Sequence, residues 1–158
     1  MKGDADVIKK LNAVLTNELT SINQYFLHAR LYDDKGFVKL GKKTYEESIG
    51  EMKHADMVIK RVLFLEGFPN LQDLHKLKIG ENVPEMLQAD LEAELRGRTA
   101  LVELVALAEK KQDFVSRDLA RRILDDTEEH IDFLETQLSV IADVGLQNYL
   151  QSQYELED

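Results

Sequence analysis

Five side chains able to bind metal ions stand where apolar residues are expected. Glu18 lies between Leu15 and Ile22, and Glu51 lies between Ser48 and Ala55 with His54 three residues on. Glu94 lies between Leu91 and Leu101, and His130 between Ile123 and Leu134. A buried carboxylate without a partner loses its hydration and tends to take up a proton. A shared cation removes much of that cost, and divalent ions accept carboxylate oxygen together with imidazole nitrogen. Taken singly, each residue also reads as a solvated or ion-paired side chain at a stripe edge, since 30 of the 158 residues are acidic. Together they place at least one carboxylate or imidazole near the middle of each of four apolar stripes.

Those stripes are helical. Over residues 7–29, apolar positions fall at 7, 8, 11, 15, 19, 22, 26 and 29, the spacing of three and four that one helix face requires. Gly36 ends that run. A second helix is predicted over about 37–66, with Thr44, Glu51, Val58 and Leu65 a heptad apart, broken by Gly67-Phe68-Pro69-Asn70. Residues 67–82 form the one long connection. Asn82 and Pro84 start a third helix running to about 111, with Leu87, Glu94, Leu101 and Ala108 in register. A fourth spans about 113–143, and Gly145 begins a short amphipathic tail, too short to be stable unless docked on the bundle's end or on a neighbouring chain. Long helices joined by short, long and short connections describe an all-α four-helix bundle with one crossover and a short C-terminal fifth helix. Length alone argues for a single domain over 1–158.

Bundles that bind a pair of metal ions take one Glu from each of two helices and a Glu-x-x-His from each of the other two. Glu18 and Glu94 fit the single positions, and Glu51 with His54 fits one pair. The other pair reads Thr127-Glu128-Glu129-His130, with Thr in place of the fourth carboxylate. Glu128 and Glu129 are rotated toward the outside, and Asp126 reaches the site only if the helix shifts. Two divalent ions bring four positive charges against three carboxylates, so weak or sequential occupancy is expected. Tyr25, a heptad after Glu18, reads as core with its hydroxyl paired. His28 and His75 have no acidic residue at i−3 and read as surface residues. Met52 is rotated off the core, which suits an interface methionine or an axial haem ligand.

Composition limits the remaining classes. Twenty Lys and Arg against thirty Asp and Glu give a net charge of −10, which argues against nucleic acid or an anionic membrane as partner. The absence of cysteine excludes disulfides and thiolate metal sites. No run of eighteen apolar residues and no signal-peptide core occurs, so a cytoplasmic protein is expected.

The chain resembles the bacterioferritins over almost its full length. The resemblance rests on Ile22-Asn23-Gln24-Tyr25-Phe26-Leu27-His28-Ala29-Arg30, Glu51-Met52-Lys53-His54-Ala55-Asp56 and Leu63-Phe64-Leu65-Glu66-Gly67-Phe68-Pro69-Asn70-Leu71-Gln72-Asp73-Leu74. It continues in His130-Ile131-Asp132-Phe133-Leu134-Glu135 and Gly145-Leu146-Gln147-Asn148-Tyr149-Leu150-Gln151. The resemblance implies a ferritin-like bundle assembled into a hollow shell of twenty-four subunits that oxidises Fe(II) with O2 and stores a ferric mineral. It implies haem b at a two-fold interface, with Met52 of each subunit as axial ligand, and a ferredoxin-type electron donor. It implies a di-iron ferroxidase centre of Glu18, Glu51, His54, Glu94 and His130, in which Thr127 replaces the bridging carboxylate. Glu46 and Gly50 also depart from the His and Asp common in the family. Two functions follow: an iron-storage ferroxidase with an impaired centre, or a haem-binding structural subunit of a mixed shell whose sister bacterioferritin chain supplies the intact centre. A bare scaffold is the weakest reading, since five ligands and Met52 remain.

Overall fold

Capping side chains set the starts of three long helices in the computed structural model, which describes residues 1–154. Helix α1 (Ala5–Asp34) begins at Asp4, whose carboxylate accepts from the backbone N–H groups of Asp6 and Val7. Helix α2 (Val38–Phe64) follows a tight turn in which Gly36 takes φ +86°, a conformation that favours glycine. Helix α3 (Val83–Lys110) begins at Asn82, which accepts from the N–H of Glu85, with Pro84 in the first turn. Helix α4 (Phe114–Val144) begins at Asp113, which accepts from the N–H of Ser116. Gly145, at φ +85°, turns the chain into α5 (Leu146–Gln151). No strand occurs among the described residues, and the helices follow the expected spans to within a few residues at most ends. Helix α1 runs to Asp34, just short of Gly36 where the first run was expected to end, and Tyr32 in its last turns is still buried.

The pairs α1–α2 and α3–α4 pack along their lengths, and α1 against α3 with α2 against α4 closes the bundle. Two apolar clusters fill its ends. One joins Leu11, Leu15, Val58, Val62, Leu104 and Ile123; the other joins Tyr32, Leu40, Met86, Leu87, Leu134 and Tyr149. Between them lies a buried polar layer holding Gln24, His28, Ser48, Asp90 and the five expected metal-ligating residues. The tail docks on its own bundle: Tyr149 is buried in the second cluster, and its hydroxyl donates to Gln137 Oε1 at 2.8 Å.

Polar side chains also hold the crossover between α2 and α3. Thr20 Oγ1 accepts from His75 N, Gln24 Oε1 from Lys78 N, and His28 Nε2 from Gly80 N, at 3.0, 3.1 and 3.1 Å. Helix α1 thereby acts as a rail along which the crossover is laid.

Asp113 links two helix ends. Its Oδ1 accepts from Ser116 N and from Arg61 Nη2 in the last turn of α2, at 3.0 and 2.8 Å. Burial raises the Asp113 carboxyl, but the bonds from Ser116 and Arg61 outweigh that and hold it below the ordinary carboxylate value. A carboxyl depressed by folding contributes stability above its unfolded value and loses it as pH falls through the folded one. Asp113→Ala should therefore cost about 1–2 kcal/mol at neutral pH. In denaturant unfolding of the metal-free protein, the gap to the native chain should narrow below about pH 4.

Candidate metal centre

Helical spacing brings three candidate ligands onto one face of α2. Glu47, Glu51 and His54 stand at i, i+4 and i+7, so their side chains follow one another along the bundle interior. Glu51 is the hinge of the arrangement. With Glu18 of α1 and His54 it forms one group whose ligand atoms all lie within 4.8 Å of one another. With Glu47 and His130 of α4 it forms a second such group. His54 Nδ1 lies 3.5 Å from Glu18 Oε2 and 3.5 Å from Glu51 Oε2. His130 Nδ1 lies 2.9 Å from Oε1 of Glu94, on α3, and 3.6 Å from Glu47 Oε2. The centre is therefore two lobes with a common carboxylate, each presenting one imidazole Nδ1.

The candidate ligand atoms are incompletely satisfied. Glu18 Oε2 and His54 Nδ1 are buried without a hydrogen-bond partner, and an orphaned polar atom in a low-dielectric interior is costly. The opposite edges of the ligands are well held. His54 Nε2 bonds Asp126 Oδ2 at 2.7 Å, which fixes the ring and leaves Nδ1 facing the carboxylates. The Tyr25 hydroxyl donates to Glu94 Oε1, and its ring meets that of His130 edge-on at 5.3 Å. Burial and the nearby Glu94 raise the Tyr25 phenol well above its ordinary value, so it remains a neutral donor.

Burial raises the Glu18 carboxyl, opposed by His54. Burial alone would depress His54, but the Glu18 and Asp126 carboxylates outweigh it and push it up to about 9. His130 is raised in the same way, with Glu94 the main opponent of burial. Protons on the two imidazoles therefore stand where a cation would neutralise the carboxylates.

The five sequence-predicted residues all enter this layer, each less than a tenth exposed. Thr127 is buried beside them, whereas Glu128 and Glu129 face outward, Glu128 paired with Arg98 at 2.8 Å. Met52 is 52% exposed on the outside of α2.

Two expectations require correction. Asp126 reaches the ligand set without any helix shift, but at the outer nitrogen of His54 and not in the gap at Thr127. His28 is fully buried: its Nδ1 bonds Asp90 Oδ1 at 2.8 Å, and the partner comes from a distant helix, which a search of position i−3 cannot find. His75 is exposed, as expected. Glu47 was not among the expected ligands. Its signal was the i, i+4, i+7 series with Glu51 and His54, masked because it lies at the edge of the stripe.

The ferritin-like domain family matches residues 8–144 of the chain. The chain is 50% identical over 151 residues to the bacterioferritin of Brucella melitensis, covering 96% of this chain and 94% of that protein. It is 47% identical over 152 residues to the bacterioferritin of Streptomyces coelicolor, covering 96% and 91%. It is 49% identical over 156 residues to the bacterial ferritin of Pseudomonas aeruginosa, covering 97% and 99%.

A cation entering the centre must displace the imidazole protons. Since His54 stays protonated up to about pH 9, affinity for a divalent ion should rise between pH 6 and 9. Titrating the metal-free protein with Zn(II) in weak buffer at pH 7 should release protons, about one of them from His54. Binding that neither releases protons nor changes over this range would show that the ion sits elsewhere.

Proposed function

The chain belongs to the bacterioferritin family of ferritin-like proteins, and on that premise we propose that it takes up Fe(II), oxidises it with O2 and stores the ferric product inside a shell of its own subunits. The observation that carries this reading is the pair of lobes joined by Glu51, with Glu18 Oε2 and His54 Nδ1 orphaned inside the bundle. Iron is substrate here. Glu18, Glu51 and His54 receive one ion, and Glu51, Glu94 and His130 the other. Hard carboxylate oxygens in a low-dielectric layer stabilise Fe(III) more than Fe(II), so the ligand set favours loss of an electron. His54 and His130 release their protons as iron enters, and Asp126 and Tyr25 keep the ligands oriented.

Thr127 weakens the centre. A hydroxyl is a neutral, poor donor to a hard ion, and the Thr127 side chain cannot bridge the two lobes as a carboxylate would. Oxidation by this chain alone is therefore slow. The same substitution supports a second reading, a haem-binding structural subunit sharing a mixed shell with a sister chain whose centre is intact.

Haem b fits Met52. A thioether is a soft donor suited to haem iron, and this one lies on the outside of the bundle, where a symmetric copy could supply the second. When bound, the haem supplies an electron-transfer centre, and a ferredoxin-type protein is the proposed donor. Among the described residues no helix is long and apolar enough to cross a membrane, and the proposed location is the cytoplasm.

The initial rate of Fe(II) oxidation at low iron loading tests the role of Thr127. Thr127→Glu should raise it by at least about tenfold, because His130 is already placed at i+3. A native homopolymer that is fast, and that gains nothing from Thr127→Glu, contradicts the impaired centre. Met52→Leu should abolish the b-haem absorption spectrum while the shell still assembles. A normal haem spectrum in that variant removes Met52 as ligand.

A further inference from the structure

We infer that Glu47 is a metal ligand of this centre, a terminal carboxylate that serves the His130 lobe and replaces the charge lost at Thr127. The inference rests on the di-metal reading above and specifies how that site is completed. Glu47 Oε2 already lies 3.6 Å from His130 Nδ1 and belongs to the group of ligand atoms centred on Glu51 and His130. Being one turn before Glu51 on the same face of α2, it needs no backbone movement to reach an ion there.

The competing carboxylates are engaged or turned away. Asp126 is committed to the outer nitrogen of His54, and Glu128 is exposed and paired with Arg98. Glu129 is exposed as well. With Glu47 the count becomes four carboxylates, Glu18, Glu47, Glu51 and Glu94, against the four positive charges of two divalent ions.

Charge is restored, but not the bridge. Glu47 belongs to the His130 group and not to the group of Glu18, Glu51 and His54. The two lobes therefore differ: the ion beside His54 does not depend on Glu47, whereas the ion beside His130 does. Slow oxidation and full occupancy are then compatible, since one depends on bridging and the other on charge.

Lys43 restrains this ligand. Its Nζ holds Glu47 Oε1 at 2.7 Å and lies over the Phe133 ring at 4.9 Å from the centroid, and that ring stacks on His130 at 6.3 Å between centroids. An ammonium group beside the His130 lobe occupies one oxygen of Glu47 and opposes an incoming cation. Metal and Lys43 compete for the same carboxylate.

The test is an anaerobic Co(II) titration of the assembled, metal-free protein, followed by its visible absorption and by calorimetry. The native chain should bind two ions per subunit within the bundle. Glu47→Gln should keep one and weaken the other by at least about tenfold, and Lys43→Gln should tighten that same ion. Glu51→Gln, the control for the centre itself, should weaken both. Shell size and helix content verify that each variant is folded, and Glu47, partly exposed, tolerates an isosteric amide.

Two native-like ions in Glu47→Gln, or a weaker second ion in Lys43→Gln, overturn the inference while leaving the centre standing, provided Glu51→Gln still weakens both. A native chain that binds only one ion also overturns it. Binding that is unchanged in Glu51→Gln removes the centre and the inference together.

Discussion

Negative charge buried midway along a helical bundle is the constraint around which this molecule is arranged. Three carboxylates, Glu18, Glu51 and Glu94, are each no more than 5% exposed, and among the described residues no arginine or lysine is buried with them. Imidazole protons offset part of that charge, which is why His54 is pushed up to about 9 despite being buried. Such compensation is conditional: it can be displaced by any cation with stronger affinity for oxygen and nitrogen donors. An interior designed only for stability would carry apolar residues at these positions instead, since replacing buried ion pairs by packed side chains is often neutral or stabilising. The cost is tolerated because apolar clusters above and below the layer supply the burial that keeps the helices together.

The supports around the ligands are as much a part of the centre as the ligands. Asp126, although mostly exposed, reaches inward to fix the His54 ring, and Tyr25 does the same for Glu94 and, by edge-on contact, for His130. A further shell of Gln24, His28 and Asp90 joins α1 to α3 and anchors the crossover through Lys78 and Gly80. The crossover is thus bound to the same polar layer that holds the proposed metal ligands. Long connections are otherwise loosely held, and this one is fixed from below by side chains of α1.

The helices and the stripes were legible in the sequence because they depend on local periodicity. Heptad spacing from Thr44 to Leu65 and from Leu87 to Ala108 leaves little freedom about which face turns inward, and Asn82 with Pro84 stands where the chain must start a helix. Residues that interact across helices were less legible. His28 has its acid 62 positions away, and Asp126 acts on a histidine 72 positions away, so no rule based on neighbours in sequence can pair them. Glu47 was obscured for a different reason: at the border of a stripe, the same residue type is consistent with solvent, with Lys43, or with the interior, and only the packing of α4 opposite shows that His130 faces it. Thr127 was legible as a gap, but what surrounds the gap was not.

The central claim is that the carboxylate layer exists to hold two cations on either side of Glu51. Anomalous diffraction from crystals of the assembled protein, grown anaerobically with Co(II) and measured above and below the metal absorption edge, tests it most directly. The account predicts two anomalous peaks inside each bundle, one against His54 Nδ1 and one against His130 Nδ1, both within ligand distance of the Glu51 carboxylate. Peaks confined to the bundle surface, with the Glu18 and Glu51 side chains unchanged, would contradict it.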